Sequence, residues 1–173
     1  MKASAGILLY RKKGEAIEVL VVHPGGPFWA KKDDGVWSFP KGQVEEEEKE
    51  DMLETAKREF KEETGFEAPS GEYIELGEVF YPRKDKKILA WATEGDLEAE
   101  KVKSNTFEME WPPRSGKKQK FPEIDRAAWC NLEQALVKLF YPHHPLLERL
   151  AAKLNVSFDL PKPKEEPQQG SLF

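Results

Sequence analysis

The sequence predicts one α/β domain built on a mixed β-sheet. Three observations point there. Short β-branched and apolar runs recur along the chain, separated by Gly, Pro and charged punctuation. One long amphipathic helix interrupts them and two shorter ones follow. At 173 residues the chain is long enough to bury a sizeable core in a single domain.

The elements follow in order. Residues 3–10 and 18–23 read as two strands split by Lys12-Lys13-Gly14-Glu15, a hairpin-like break. Pro24-Gly25-Gly26-Pro27 ends the second run and opens a loop carrying Phe28, Trp29, Lys31 and Lys32. Residues 36–39 make a short strand stopped by Pro40. A helix covers 51–64, with Gly65 as its C-terminal stop. Residues 73–80 and 87–93 are two further strands, and 114–120 is a basic polar loop. Residues 127–130 form another strand, and Asn131 caps a helix over 132–140. Residues 146–154 are a second amphipathic helix in the C-terminal part. The domain thus spans 1–160, and the Pro-, Lys-, Glu- and Gln-rich stretch 161–173 is a loosely ordered tail. No internal repeat is visible.

Composition narrows the function. Net charge is −5, so nothing draws the whole molecule to a nucleic acid backbone or an anionic membrane. No apolar run approaches a membrane span, and the apolar stretch 5–10 is too short for a signal peptide. Cys130 is the only cysteine, so no internal disulfide forms. A reducing cytoplasmic setting is the expectation. His143 and His144 precede Pro145 with no third His or Cys near them, so no zinc site is expected. His23 ends a strand and can face a site.

The chemistry concentrates in the helix. With about 100° of rotation per residue, Met52, Ala56, Phe60 and Leu53 fall on one apolar stripe. Glu59, Glu62 and Glu63 fall along one flank of it, spread over about 100° of arc. Glu59 and Glu63 are about 6 Å apart along the axis, close enough to repel. They also sit in the last turns, where the macrodipole disfavours negative charge. Such a local conflict is relieved by a cation, and an all-oxygen set suits a hard divalent one. The run Glu45 to Glu48 reads instead as a solvated face.

Gly42, Glu50, Arg58-Glu59-Phe60, Glu62-Glu63, Gly65 and Phe66 together resemble the signature of the Nudix hydrolases. That family cleaves nucleoside diphosphates linked to another group. Its pattern runs Gly, Glu, then Arg-Glu-apolar-x-Glu-Glu-x-Gly-apolar. Here Gly42 lies two residues further from Glu50 than the pattern has it, so the loop between them is lengthened. Trp37-Ser38-Phe39-Pro40-Lys41 also resembles the strand and turn that precede the signature in many members. The resemblance implies an α/β/α sandwich with helices flanking the sheet. It implies Mg²⁺ or Mn²⁺ held by Glu59, Glu62 and Glu63, with the backbone carbonyl of Lys41 added. It leaves open whether Glu59, Glu62 or a residue from another loop is the base. Arg58 is expected to orient its neighbours. A further carboxylate before a late strand is expected to join the metal, Glu123 first and Asp125 second.

The expected substrate is a small nucleotide: a dinucleoside polyphosphate, ADP-ribose or a nucleoside triphosphate-like molecule. In the family, a Tyr shortly after the signature suggests the first and a Pro the second. Tyr81-Pro82 offers both. Residues 107–120 read as a substrate flap, with Arg114 and Lys118 meeting phosphate charge and Trp111 offering a stacking face. Two other readings remain: a nucleotide-sensing module without turnover, and an RNA 5′-end pyrophosphohydrolase. The complete glutamate set weighs against the first. The acidic net charge weighs against the second. Oligomeric state stays open.

Overall fold

The computed structural model describes residues 1–48 and 51–158. Glu50 and the tail 161–173 lie outside the described residues.

The chain folds around a mixed sheet of strands β1 (Lys2–Lys13), β2 (Ala16–Pro24), β3 (Lys41–Gln43), β4 (Tyr73–Tyr81), β5 (Lys86–Glu94) and β8 (Ile124–Asn131). The spatial order is β4-β5-β1-β2-β8, with β3 paired to the first half of β1. β1 and β5 run parallel and the other pairs antiparallel. A separate hairpin, β6 (Thr106–Glu110) with β7 (Lys118–Pro122), is inserted before β8.

Side-chain alternation sorts β1 between two cores. Ala5, Ile7 and Leu9 face helix α1 (Met52–Thr64), where Ala56 and Phe60 bury the stripe read from sequence. Leu8 and Tyr10 face the other way, toward α2 (Leu132–Lys138) and α3 (His144–Lys153). Leu136, Leu146, Leu147 and Leu150 close that second core. Helices therefore cover both faces of the sheet, the α/β/α layering the sequence predicts.

Four expectations need correcting. Residues 36–39 make no strand; Trp37 and Ser38 make only isolated bridges. Trp37 and Phe39 are buried plugs, and the backbone divides its bonds between β2 and the end of α2. The strand forms after Pro40, whose carbonyl accepts from Ile7 (3.0 Å). Helix α2 stops at Lys138, because Leu139 turns to extended backbone and the Phe140 N–H goes to Trp37. The basic stretch 114–120 is not all loop: Lys118 and Lys120 are in β7. They lie across from Glu110 and Glu108 in the antiparallel register of a strand that apolar alternation does not announce. Lastly, α3 begins at His144, two residues before the predicted start.

Candidate active site

The site grows from the C-terminal end of α1. Asp51 caps the helix N-terminus by accepting from the Glu54 N–H (3.1 Å). Burial of Ala56 and Phe60 then fixes the rotation, which leaves Glu59, Glu62 and Glu63 on the flank. Gly65 ends the helix in the left-handed conformation at φ 80°, as a C-terminal glycine should. The chain 103–105 returns along this end. The Lys103 N–H donates to the Thr64 carbonyl (3.0 Å) and the Asn105 N–H to the Glu62 carbonyl (2.9 Å). The Glu123 N–H in turn donates to the Asn105 carbonyl (2.9 Å). Two backbone hydrogen bonds thus connect Glu62 to Glu123.

The strand β3 closes the other side. A Cβ on Gly42 would lie 1.9 Å from the Glu59 carboxylate carbon, so glycine is what lets that side chain cross the strand. The Lys41 N–H donates to Glu63 Oε2 (3.1 Å). Arg58 Nη1 lies 2.9 Å from Glu62 Oε1 and 3.2 Å from Glu59 Oε1.

The electrostatics record the crowding. Burial pushes the Glu63 carboxyl up to about 8, against the opposing pull of Lys41. Glu59 is raised by burial and by Glu62. Glu123 is raised by burial and by Glu62, so it is within electrostatic reach of the helix carboxylates. The donors are oxygen-only and disfavour their own ionisation, which fits a hard divalent cation. Among the described residues, no three metal-capable side chains yet converge on one point. Arg58 instead bridges Glu59 and Glu62.

The remaining predicted residues fall in three places. Asp125 is committed elsewhere: its carboxylate lies 2.8 Å from Nδ1 of the fully buried His23. Tyr81 is on the opposite sheet face from α1, with its hydroxyl 2.8 Å from His143 Nε2. Trp111, Arg114 and Lys118 sit toward the tip of the hairpin, away from its base at Glu123. Trp111 meets exposed Phe28 edge to face, with ring centroids 5.6 Å apart. Sequence reasoning missed Lys86 and gave His143 no role beyond excluding zinc. Nothing local marks Lys86, because its environment is assembled from several distant segments.

The NUDIX domain family model matches residues 1–151. No curated protein matches the chain. Among solved structures the chain is similar to a C. elegans Ap4A hydrolase in a binary complex, at 23% identity and a TM-score of 0.59, over 90% of this chain and 98% of that one. It is similar to the NUDIX domain of Shewanella oneidensis NrtR complexed with ADP ribose, at 18% identity and a TM-score of 0.57, over 88% and 87% of the two chains. It also resembles the MutT protein of Methanosarcina mazei Go1, at 22% identity and a TM-score of 0.58, over 88% and 94%. At these identities the likeness is one of fold.

Proposed function

Because the chain belongs to the Nudix family and is an enzyme of that type, we propose that it hydrolyses a phosphoanhydride in a nucleoside di- or polyphosphate derivative, using a divalent cation. The single observation that supports this most is the flank of α1 against β3, where Glu59 crosses Gly42, Glu63 accepts from the Lys41 N–H and Arg58 bridges Glu59 and Glu62. The nucleotides named for two similar structures, Ap4A and ADP ribose, agree with that substrate class.

Phosphoanhydrides resist attack because their anionic oxygens repel a nucleophile. Mg²⁺ or Mn²⁺, when bound, would neutralise that charge and acidify a water. Glu59, Glu62, Glu63 and Glu123 would hold it, with the Lys41 carbonyl as a further oxygen donor. Arg58 positions Glu59 and Glu62 through its shared guanidinium nitrogen. The Lys41 N–H fixes Glu63, leaving its other oxygen free to bind. Glu59, Glu62 or a carboxylate from another loop takes the proton of the attacking water. Trp111 and Phe28 offer aromatic faces for a base, and Arg114 and Lys118 offer cationic groups on the same hairpin.

The test is a nucleotide panel with Mg²⁺, scored for released phosphate and nucleoside monophosphate, with the wild type beside Glu62→Gln. We expect turnover of at least one nucleotide and a fall of about a hundredfold or more in kcat for the variant. Tight nucleotide binding without any turnover would favour a sensing module. Near-normal turnover by Glu62→Gln would refute the metal-site assignment.

A further inference from the structure

Ser104 is a buried polar residue just outside the hairpin, shortly before β6 begins at Thr106. Its hydroxyl oxygen accepts from the Ile124 N–H (2.9 Å). Its single hydrogen has two carbonyls within reach, Asn105 at 2.8 Å and Ile124 at 3.2 Å. The side chain therefore stitches the segment that enters the hairpin to the segment that leaves it.

The ladder itself cannot make this connection. β6 and β7 pair from Glu110 opposite Lys118 down to Thr106 opposite Pro122. Pro122 has no N–H to give, so regular pairing ends there. Beyond it, Glu123 is pinned by other means. Its N–H donates to the Asn105 carbonyl (2.9 Å) and its carbonyl accepts from the Gly25 N–H (2.8 Å). The next N–H, that of Ile124, goes to Ser104. On its other side Asn105 donates its N–H to the Glu62 carbonyl (2.9 Å). The step 104–105 thus grips the last turn of α1 with one residue and clasps the backbone after Glu123 with the other. The Glu123 carboxyl, raised by burial and by Glu62, agrees with a side chain held near the helix carboxylates.

We propose that Ser104 is a positioning residue for the carboxylate site: its hydroxyl holds residues 123–124 against the step that grips α1, and so sets how the Glu123 carboxylate stands to Glu62. The inference rests on the hydrolase reading, in which Glu123 joins Glu62 at a divalent cation. It adds a residue that touches neither cation nor substrate. Without the hydroxyl, the Ile124 N–H loses a partner in a buried place. The two backbone bonds of Glu123 and the five-pair ladder remain, so the segment pivots and the hairpin stays folded. Metal sites weaken when groups that orient their ligands are removed.

The test is a titration of Mn²⁺ into substrate-free protein, followed by the electron paramagnetic resonance signal of the free ion. The proteins are the wild type, Ser104→Ala, Ser104→Thr, Glu123→Gln and the double variant Ser104→Ala with Glu123→Gln. We expect Ser104→Ala to weaken Mn²⁺ binding about tenfold. Ser104→Thr keeps the hydroxyl and should stay within about twofold of the wild type. In the Glu123→Gln background, Ser104→Ala should cause no further loss, because its effect travels through that carboxylate. An unchanged affinity in Ser104→Ala overturns the inference. So does an equal loss with and without the Glu123 carboxylate, which would be a general loosening, and so does a loss in Ser104→Thr as large as in Ser104→Ala. Ser104→Cys keeps the volume but bonds poorly, and it takes the place of the alanine variant, with the same outcomes, if that variant fails to fold. Wild-type protein that takes up no Mn²⁺ overturns the metal reading and this inference together. Uptake that ignores Ser104 overturns this inference alone and leaves the hydrolase reading standing.

Discussion

Gly42 shows how much a single missing methyl group can decide. The atoms a Cβ would strike belong to the end of the flexible Glu59 side chain. Gly42→Ala should therefore fold nearly as well as the wild type, because Glu59 can swing aside. The carboxylate would be displaced from the site in doing so. We expect a melting temperature within a few degrees of the wild type and a loss of kcat of about tenfold or more. A variant that melts far lower while keeping its specific activity would contradict this reading. His23 gives a second case. Its Nδ1 faces the Asp125 carboxylate (2.8 Å) and its Nε2 the Lys32 carbonyl (2.7 Å). The two ring nitrogens thus meet partners from two different segments. It therefore ties the loop after β2 to the start of β8, close to Glu123. His23→Asn keeps polarity but cannot span both partners, and it should cost about 1–3 kcal/mol in denaturant unfolding. An unchanged unfolding midpoint would remove that structural role.

At the scale of elements, the hairpin β6–β7 depends on a close backbone approach at its base. The Gly25 N–H donates to the Glu123 carbonyl (2.8 Å), and a Cβ on Gly25 would lie 1.9 Å from the Pro122 carbonyl oxygen. That obstacle is backbone, so it cannot swing away as Glu59 can. Gly25→Ala should push the base of the hairpin outward and carry Glu123 with it. Both stability and kcat should fall, with stability lowered by roughly 1–3 kcal/mol. Chemical denaturation alongside steady-state kinetics would show it, and a variant with wild-type values in both would contradict it. The contrast with α1 explains what the sequence could and could not reveal. Helix α1 was legible because its stripe and Gly65 stop are local signals. The strands β6 and β7 were not, because cross-strand Glu108–Lys120 and Glu110–Lys118 registers hold polar residues that read as loop. The place of Glu123 before a late strand was legible. Its path to Glu62 through Asn105 was not, because that path exists only once the return segment packs on α1. The surroundings of Lys86 were illegible for the same reason: Lys2 and Lys41 act on it from β1 and β3, and only Lys84 is local.

On the scale of the whole molecule, two partly withdrawn groups, Glu63 and Lys86, leave opposite marks on stability. Glu63 is raised to about 8 from the ordinary carboxyl range. Between those values the folded protein holds a proton that the unfolded chain has released, so stability falls as pH rises through that window. Lys86 is lowered to about 8 from the ordinary lysine value of 10.5. Between those values the unfolded chain holds a proton that the folded protein has released, so its contribution to stability rises with pH. Other groups titrate as well, so the difference between wild type and variant is the informative quantity. In metal-free protein melted at a series of pH values, Glu63→Gln should gain on the wild type from about pH 5 to about pH 8 and level off above. Lys86→Met should show its advantage fully below about pH 8 and lose it progressively toward about pH 10.5. Saturating Mg²⁺ should shrink the Glu63 difference, because a bound cation relieves the same repulsion, and should leave the Lys86 difference in place. Parallel curves for wild type and both variants across the whole range would show that neither group is held in the crowded charge environment described here.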